Sequence, residues 1–220
     1  ILMNPKIELF STLRRPIKET KWYMSKSFEL DLNHDPINKL SHILQMSSPD
    51  YIINCVGIIK PFCRDDNMLG VYNAININAR FPHELAHCLA LEKGSTKVIQ
   101  IATDCVFDGK EGNYNETSLH NAVDVYGKTK SLGEVVDDNF LNLRCSIVGP
   151  ELNGNISLLN WFLSQKDFST VEGYNHHKWN GVTTLQFAEF CEKIIIDNSF
   201  IHLRDLNHIL HYVLNETVTK

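Results

Sequence analysis

The chain has 220 residues, 43% of them hydrophobic and 10% aromatic, and a formal net charge of −5 at pH 7. That length suits one large α/β domain, or a domain with a small lobe, and no apolar run approaches the roughly 20 residues of a membrane span, which predicts a soluble protein with no membrane partner. Without a basic excess the chain has no electrostatic hold on phosphate backbones, so small molecules rather than nucleic acids are the expected partners.

Six cysteines (Cys55, Cys63, Cys88, Cys105, Cys145 and Cys191) include no Cys-x-x-Cys pair, and several lie in apolar runs, which predicts a reducing cytoplasm. The first residues, ILMNPKIELF, carry neither signal-peptide features nor an initiator Met, so the chain is expected to begin mid-protein.

In chain order, residues 7–12 (IELFST) read as a strand, and residues 35–45 as a helix with Asp35 as N-cap and Pro36 at its first position. Residues 51–56 (YIINCV) form a short apolar run bounded by Pro49-Asp50 and Gly57, the pattern of a strand buried on both faces of a parallel sheet. A helical stretch over 67–91 follows, kinked or divided by Pro82. Residues 97–102 (KVIQIA) predict another buried strand, 123–136 a helix and 140–145 (FLNLRC) a further strand. Beyond Pro150 the pattern loosens into a helix at 157–164, the polar stretch VEGYNHHKWNG, a helix at 184–197 and a strand-like run at 208–213. Alternating strands and helices imply an α/β fold, a parallel sheet with helices on both faces, spanning residues 1–150, followed by a smaller lobe over 151–220.

In open parallel sheets ligands bind beyond the carboxyl ends of the strands, which singles out Arg14, Arg15, Gly57, Thr103, Asp104 and residues 146–149. Tyr126 opens a helix with Lys130 four residues on, placing phenol and ammonium on one helical face. A neighbouring ammonium favours the phenolate, so Tyr126 is expected to have a lowered pKa and to exchange a proton with a carbonyl or alcohol. The same spacing recurs at Tyr174 and Lys178, in a polar, histidine-rich loop rather than after a strand, and is read there as coincidence.

The run IATDCVFDGKEGNYNETSLHNAVDVYGKTKSLGE resembles the central signature of extended short-chain dehydrogenases/reductases, in particular their dTDP-4-dehydrorhamnose reductase-like branch. Asn54-Cys55-Val56-Gly57, Ile77-Asn78-Ala79 and Leu143-Arg144-Cys145-Ser146 with Gly149 align in the same order. The resemblance implies a Rossmann-like fold with a partial substrate lobe, NADP (or NAD) as cofactor, and a keto nucleotide sugar as substrate. It further implies Thr103, Tyr126 and Lys130 as catalytic residues and Arg14, Asp31, Cys55, Val56, Gly57, Asn78, Tyr126 and Lys130 as cofactor contacts. Asp104, Arg144, Ser146, Trp179 and Asn180 fall on the family's substrate side. Reduction for surface-polysaccharide synthesis is the implied activity. Epimerisation or dehydration of a nucleotide sugar is one alternative, and a non-catalytic regulatory subunit another. Members often pair as homodimers through the helices flanking the active site.

Two features depart from the resemblance. No Gly-x-x-Gly-x-x-Gly loop, whose backbone N–H groups would bind a pyrophosphate, occurs anywhere in the chain, so the family's first strand and glycine loop are expected to be missing ahead of residues 7–12. The stretch Trp179-Asn180-Gly181-Val182-Thr183-Thr184 differs from the branch's Gly-Ser-Pro-Thr pattern, which leaves the rhamnose substrate open. His83-Glu84-Leu85-Ala86-His87 matches a zinc-hydrolase motif, but Ala90 and Lys93 replace the later Gly and His of its extended form, and no metal is expected.

Overall fold

The computed structural model describes residues 7–14, 26–151 and 154–219. Two short strands, β1 (Phe10–Leu13) and β2 (Lys26–Glu29), pair in parallel. Helix α1 (Ile37–Ser47) follows, then β3 (Tyr51–Asn54), a 3₁₀ turn at Lys60–Phe62, and a continuous helical run. That run comprises α2 (Met68–Ala74), a π-helical stretch (Ile75–Arg80) and α3 (Phe81–Glu92). Strand β4 (Lys97–Ile101), a 3₁₀ turn at Asp104–Val106, α4 (Val125–Leu132) and β5 (Phe140–Arg144) complete the centre. The remainder runs through β6 (Ile147–Val148), α5 (Leu158–Leu163), β7 (Lys178–Trp179), β8 (Val182–Thr183), α6 (Thr184–Ile196), α7 (Phe200–Asn207), β9 (Ile209–His211) and β10 (Val218–Thr219).

Strands β3, β4, β5 and β9 form one all-parallel sheet in that order. Side chains alternate across a strand, so the apolar runs of β4 and β5 serve two cores at once. Val98 and Phe140 face α1 and α3, packing with Leu40, Ile43, Leu44, Leu85 and Leu89. Ile99, Leu141 and Leu143 face the opposite way onto Phe187, Cys191 and Ile194 of α6 and Phe200 of α7. Polar Asn54, Gln100 and Asn142 form a row across the sheet, and Asn54 Nδ2 donates to Gln100 Oε1 at 2.8 Å, so burial leaves the pair satisfied.

Several expectations change. Pro36, not Asp35, is the N-cap of α1; the Asp35 carboxylate instead accepts from the Asp31 N–H and from Lys39, holding the turn ahead of the helix. Pro82 does not end the helical run; it sits in the first turn of α3, directly after the π stretch. The helix expected over 123–136 is confined to Val125–Leu132. Helix α7 was not read from the sequence, and β9 beside β5 makes residues 184–211 part of the main sheet assembly rather than of a separate lobe after residue 150.

Strand β1 does not pair with β3. Between them lies an apolar slot of about 960 Å³, lined by Phe10, Leu30, Leu44, Ile53, Phe81 and Leu85 among others. Among the described residues no helix is long and apolar enough to cross a membrane.

Candidate active site

Parallel pairing sets the carboxyl ends of β3, β4 and β5 side by side, and the residues following each strand meet at that edge. Tyr126 reaches it from the first turn of α4. Asp124 caps this helix, its Oδ1 accepting the Gly127 N–H at 2.7 Å, and Asp65 Oδ1 accepts the Val125 N–H at 2.8 Å. Gly127 allows the close approach: a Cβ there would stand 2.4 Å from the Cys105 carbonyl oxygen. The helix start is thereby pressed against the turn after β4, which brings the Tyr126 phenol beside the buried Thr103 hydroxyl; that hydroxyl itself accepts the Cys105 N–H at 3.2 Å.

Burial pushes the Tyr126 phenol up to about 12, and the neighbouring Thr103 hydroxyl opposes this only in part. The expected lowering by Lys130 is not what the structure has. Lys130 is 6% exposed and donates to the Ile101 carbonyl at 2.6 Å. Burial lowers its own pKa despite the nearby Glu134 charge. The spacing puts both residues on one face, as read, but the lysine stem runs inward to the end of β4. The ammonium that stands over the Tyr126 ring belongs to Lys60, 5.9 Å from the centroid and paired with Asp124 Oδ2 at 2.8 Å. Sequence reasoning missed Lys60, although its place in the loop after β3 was a usable signal. Lys60, Cys63, Arg64, Asp65, Asp66, Asp124 and Tyr126 enclose a cavity of about 350 Å³.

Asn78, 1% exposed, sits on the π stretch and bonds the loop after β3 in both directions. Its Oδ1 accepts the Ile58 N–H at 2.7 Å, and its Nδ2 donates to the Ile58 carbonyl at 3.0 Å and to Thr129 Oγ1 at 3.3 Å. Gly133 packs on the same residue; a Cβ at Gly133 would lie 1.9 Å from the Asn78 carbonyl oxygen. Asn78 thus fastens the exposed Cys55-Val56-Gly57 segment to the helix carrying Tyr126.

The other candidates divide. Ser146 and Trp179 come together, Trp179 Nε1 donating to Ser146 Oγ at 2.8 Å, and Asn180 beside them is exposed, as is Asp104. Arg144 is 3% exposed and turned inward. Its guanidinium makes a two-point bond with the Glu134 carboxylate, meets His120 and His211 and reaches the Glu116 carbonyl. Burial lowers the pKa of both histidines and keeps them as neutral acceptors. In this arrangement Arg144 joins β5, β9 and the loop before α4 rather than facing the cleft. Asp31 heads a turn, Oδ1 accepting from the Asn33 N–H at 3.0 Å; that bond, with smaller contributions from His34 and Arg14, holds its carboxyl below the usual range despite some desolvation. Arg14 is exposed and close to it, and Arg15 lies outside the described residues.

In the zinc-hydrolase-like motif, His83 Nε2 hydrogen-bonds with the Leu132 carbonyl at 2.7 Å and Glu84 pairs with Arg80. Among the described residues no three His, Cys, Asp or Glu side chains form a group that could hold a metal ion.

A family profile described as "RmlD substrate binding domain" matches residues 8–153. The chain belongs to the RmlD substrate-binding-domain family. Within curated proteins, a stretch of 107 residues is 33% identical to dTDP-4-dehydrorhamnose reductase of Aggregatibacter actinomycetemcomitans, covering 48% of this chain and 34% of that protein. A stretch of 92 residues is 32% identical to methionine adenosyltransferase 2 subunit beta of Danio rerio, covering 42% of this chain and 26% of that one. The matched stretches therefore span about a third or less of those relatives' length. The fold is that of the Bacillus anthracis dTDP-4-dehydrorhamnose reductase crystallised in complex with NADP, at a TM-score of 0.68 and 20% identity, covering 89% of this chain and 68% of that one.

Proposed function

We propose that this protein reduces the keto carbon of a nucleotide-linked sugar with NADP(H), and less readily with NAD(H), using Thr103, Tyr126 and Lys130. The observation that carries the reading is the Tyr126 phenol, set beside the buried Thr103 hydroxyl at the carboxyl edge of a parallel sheet and made harder to ionise by burial. Family membership supports it, as do the relatives named dTDP-4-dehydrorhamnose reductase.

A nicotinamide dinucleotide, when bound, supplies the hydride. The residues that would hold its nicotinamide half are Tyr126 and Lys130, on one helical face, and the exposed Cys55-Val56-Gly57 loop that Asn78 ties to the same helix. Exposed Arg14 beside Asp31 suits the 2′-phosphate of NADP. The eleven glycines include no Gly-x-x-Gly-x-x-Gly turn, so none of that type is provided for the pyrophosphate by these residues. Thr103 orients the substrate carbonyl. Tyr126 gives its proton to the oxygen as negative charge develops there, a transfer favoured because an alkoxide is a much stronger base than a phenolate. Lys130 would hold the ribose hydroxyls only on releasing the Ile101 carbonyl, to which it donates in this structure. Ser146, Trp179 and Asn180 line the substrate side, and the part of residues 151–220 outside the main sheet assembly would form the substrate lobe.

The reading places the reaction in the cytoplasm, in the supply of surface-polysaccharide precursors. A homodimer is supported by the row Met68, Leu69, Tyr72 and Ile75 along α2 and its continuation, all apolar or aromatic and exposed. Titration of NADPH fluorescence, followed by turnover with dTDP-4-keto-6-deoxyhexose, tests the assignment; saturable binding and turnover that Tyr126→Phe abolishes are expected. The similarity to the methionine adenosyltransferase subunit favours a second reading, a regulatory nucleotide-binding subunit. Binding of NADPH without turnover of any keto nucleotide sugar would select it.

A further inference from the structure

We propose that Lys60 is a positioning residue of the Tyr126 site, its ammonium fixing the ring and stabilising the ionised phenol that forms when the proton leaves. The inference rests on the proton-transfer role assigned to Tyr126. Three separate contacts lead to it. Lys60 Nζ lies 5.9 Å from the centroid of the Tyr126 ring. The same nitrogen pairs at 2.8 Å with Asp124, the residue whose other oxygen caps the helix bearing Tyr126. Lys60 and Tyr126 also share the wall of the 350 Å³ cavity, so the ammonium stands where a substrate would approach the phenol.

Lys130 does not occupy that place in this structure, since its ammonium is engaged with the Ile101 carbonyl. The other cations near Tyr126 are already engaged, Lys130 with the Ile101 carbonyl and Arg64 with Asp66. The loop after β3 contributes Lys60, Cys63, Arg64, Asp65 and Asp66, the turn after β4 contributes Thr103, Asp104 and Cys105, and its own helix contributes Asp124 and Lys130. Asp104, Cys105 and Cys63 all disfavour a phenolate. Burial works against the Lys60 charge, but the bond to Asp124, with a smaller contribution from Asp104, outweighs it and keeps the ammonium charged. A cation within about 6 Å favours an ionised phenol, by less than the full amount where water screens it.

The decisive experiment replaces Tyr126 with 3-fluorotyrosine, whose more acidic phenol brings the titration into an accessible range, and follows it by ¹⁹F NMR. Lys60→Met is expected to raise the midpoint by roughly half a pH unit, and Lys60→Arg to restore it. Asp124→Asn, which keeps a capping oxygen and removes the charge neutralising Lys60, is expected to lower it. An unmoved midpoint in both Lys60→Met and Asp124→Asn, with only the melting temperature changed, would reduce Lys60 to a loop tether and overturn the proposal. Hydride transfer by the unsubstituted protein is measured separately. Its absence would sink the reductase reading while the titration still decides whether Lys60 acts on Tyr126.

Discussion

Tyr126 and Tyr174 each precede a lysine by four residues, and the fold treats the two pairs in opposite ways. Tyr126 opens a capped helix, meets Thr103 from a neighbouring strand end and has its phenol pushed up to about 12 by burial. Tyr174 is 47% exposed and stacks on His177 at 5.3 Å in a loop, while Lys178 lies exposed in a two-residue strand. The spacing is identical; what differs is the company brought by other elements. A proton donor needs a desolvated phenol with partners across the chain, and only the first pair has them.

The largest effect is expected on that contrast itself. Tyr126→Phe should lower kcat for keto-sugar reduction by roughly 10²–10⁴, whereas Tyr174→Phe should leave it within about twofold, given its exposed place. Comparable loss in both would remove the distinction. Next comes stability around the first pair. Arg144→Met strips Glu134, 4% exposed, of its two-point partner and leaves it His120 at 3.6 Å, at a cost of up to roughly 3–5 kcal/mol, seen as a marked fall in melting temperature. Lys178→Met should stay within about 0.5 kcal/mol. If Arg144 instead raised KM with stability intact, the substrate-side role implied by the resemblance would be restored.

A smaller loss, about 1–3 kcal/mol, is expected for Gly133→Ala, which drives a methyl into the Asn78 carbonyl. Denaturant titration measures it. The smallest effect concerns acid. His120 and His211 have pKa values lowered by burial, so the unfolded chain takes up their protons first as pH falls. Their contribution to stability is therefore complete above pH about 6.5 and is lost progressively below it. Melting curves from pH 7.5 to 5 should show this decline, and His120→Gln should flatten it.

The sequence made the centre of the sheet legible, because residues 51–54, 97–101 and 140–144 are apolar runs between clear breaks, and a strand buried on both faces requires that pattern. Thr103 and Tyr126 were legible for a related reason, each lying just past or near a strand end. Helix α7 was not, since Phe200–Asn207 is short and follows Asn198, a residue with a left-handed backbone (φ 50°) that reads as a loop. The inward turn of Arg144 was hidden because its partners Glu134, His120 and His211 come from three separate segments. The pKa of Tyr126 was read with the wrong sign for the same kind of reason: helical spacing shows which residues share a face, but desolvation and the direction of the Lys130 stem are set by tertiary packing.

The central claim is that Tyr126 protonates a carbonyl reduced by hydride. Its most direct test is incubation with NADPH deuterated at the transferring C4 position and dTDP-4-keto-6-deoxyhexose, with the product followed by NMR. The account predicts deuterium at the former keto carbon, and none when Tyr126→Phe replaces the parent protein. Absence of deuterium transfer by the parent protein, or undiminished transfer by the variant, would contradict it.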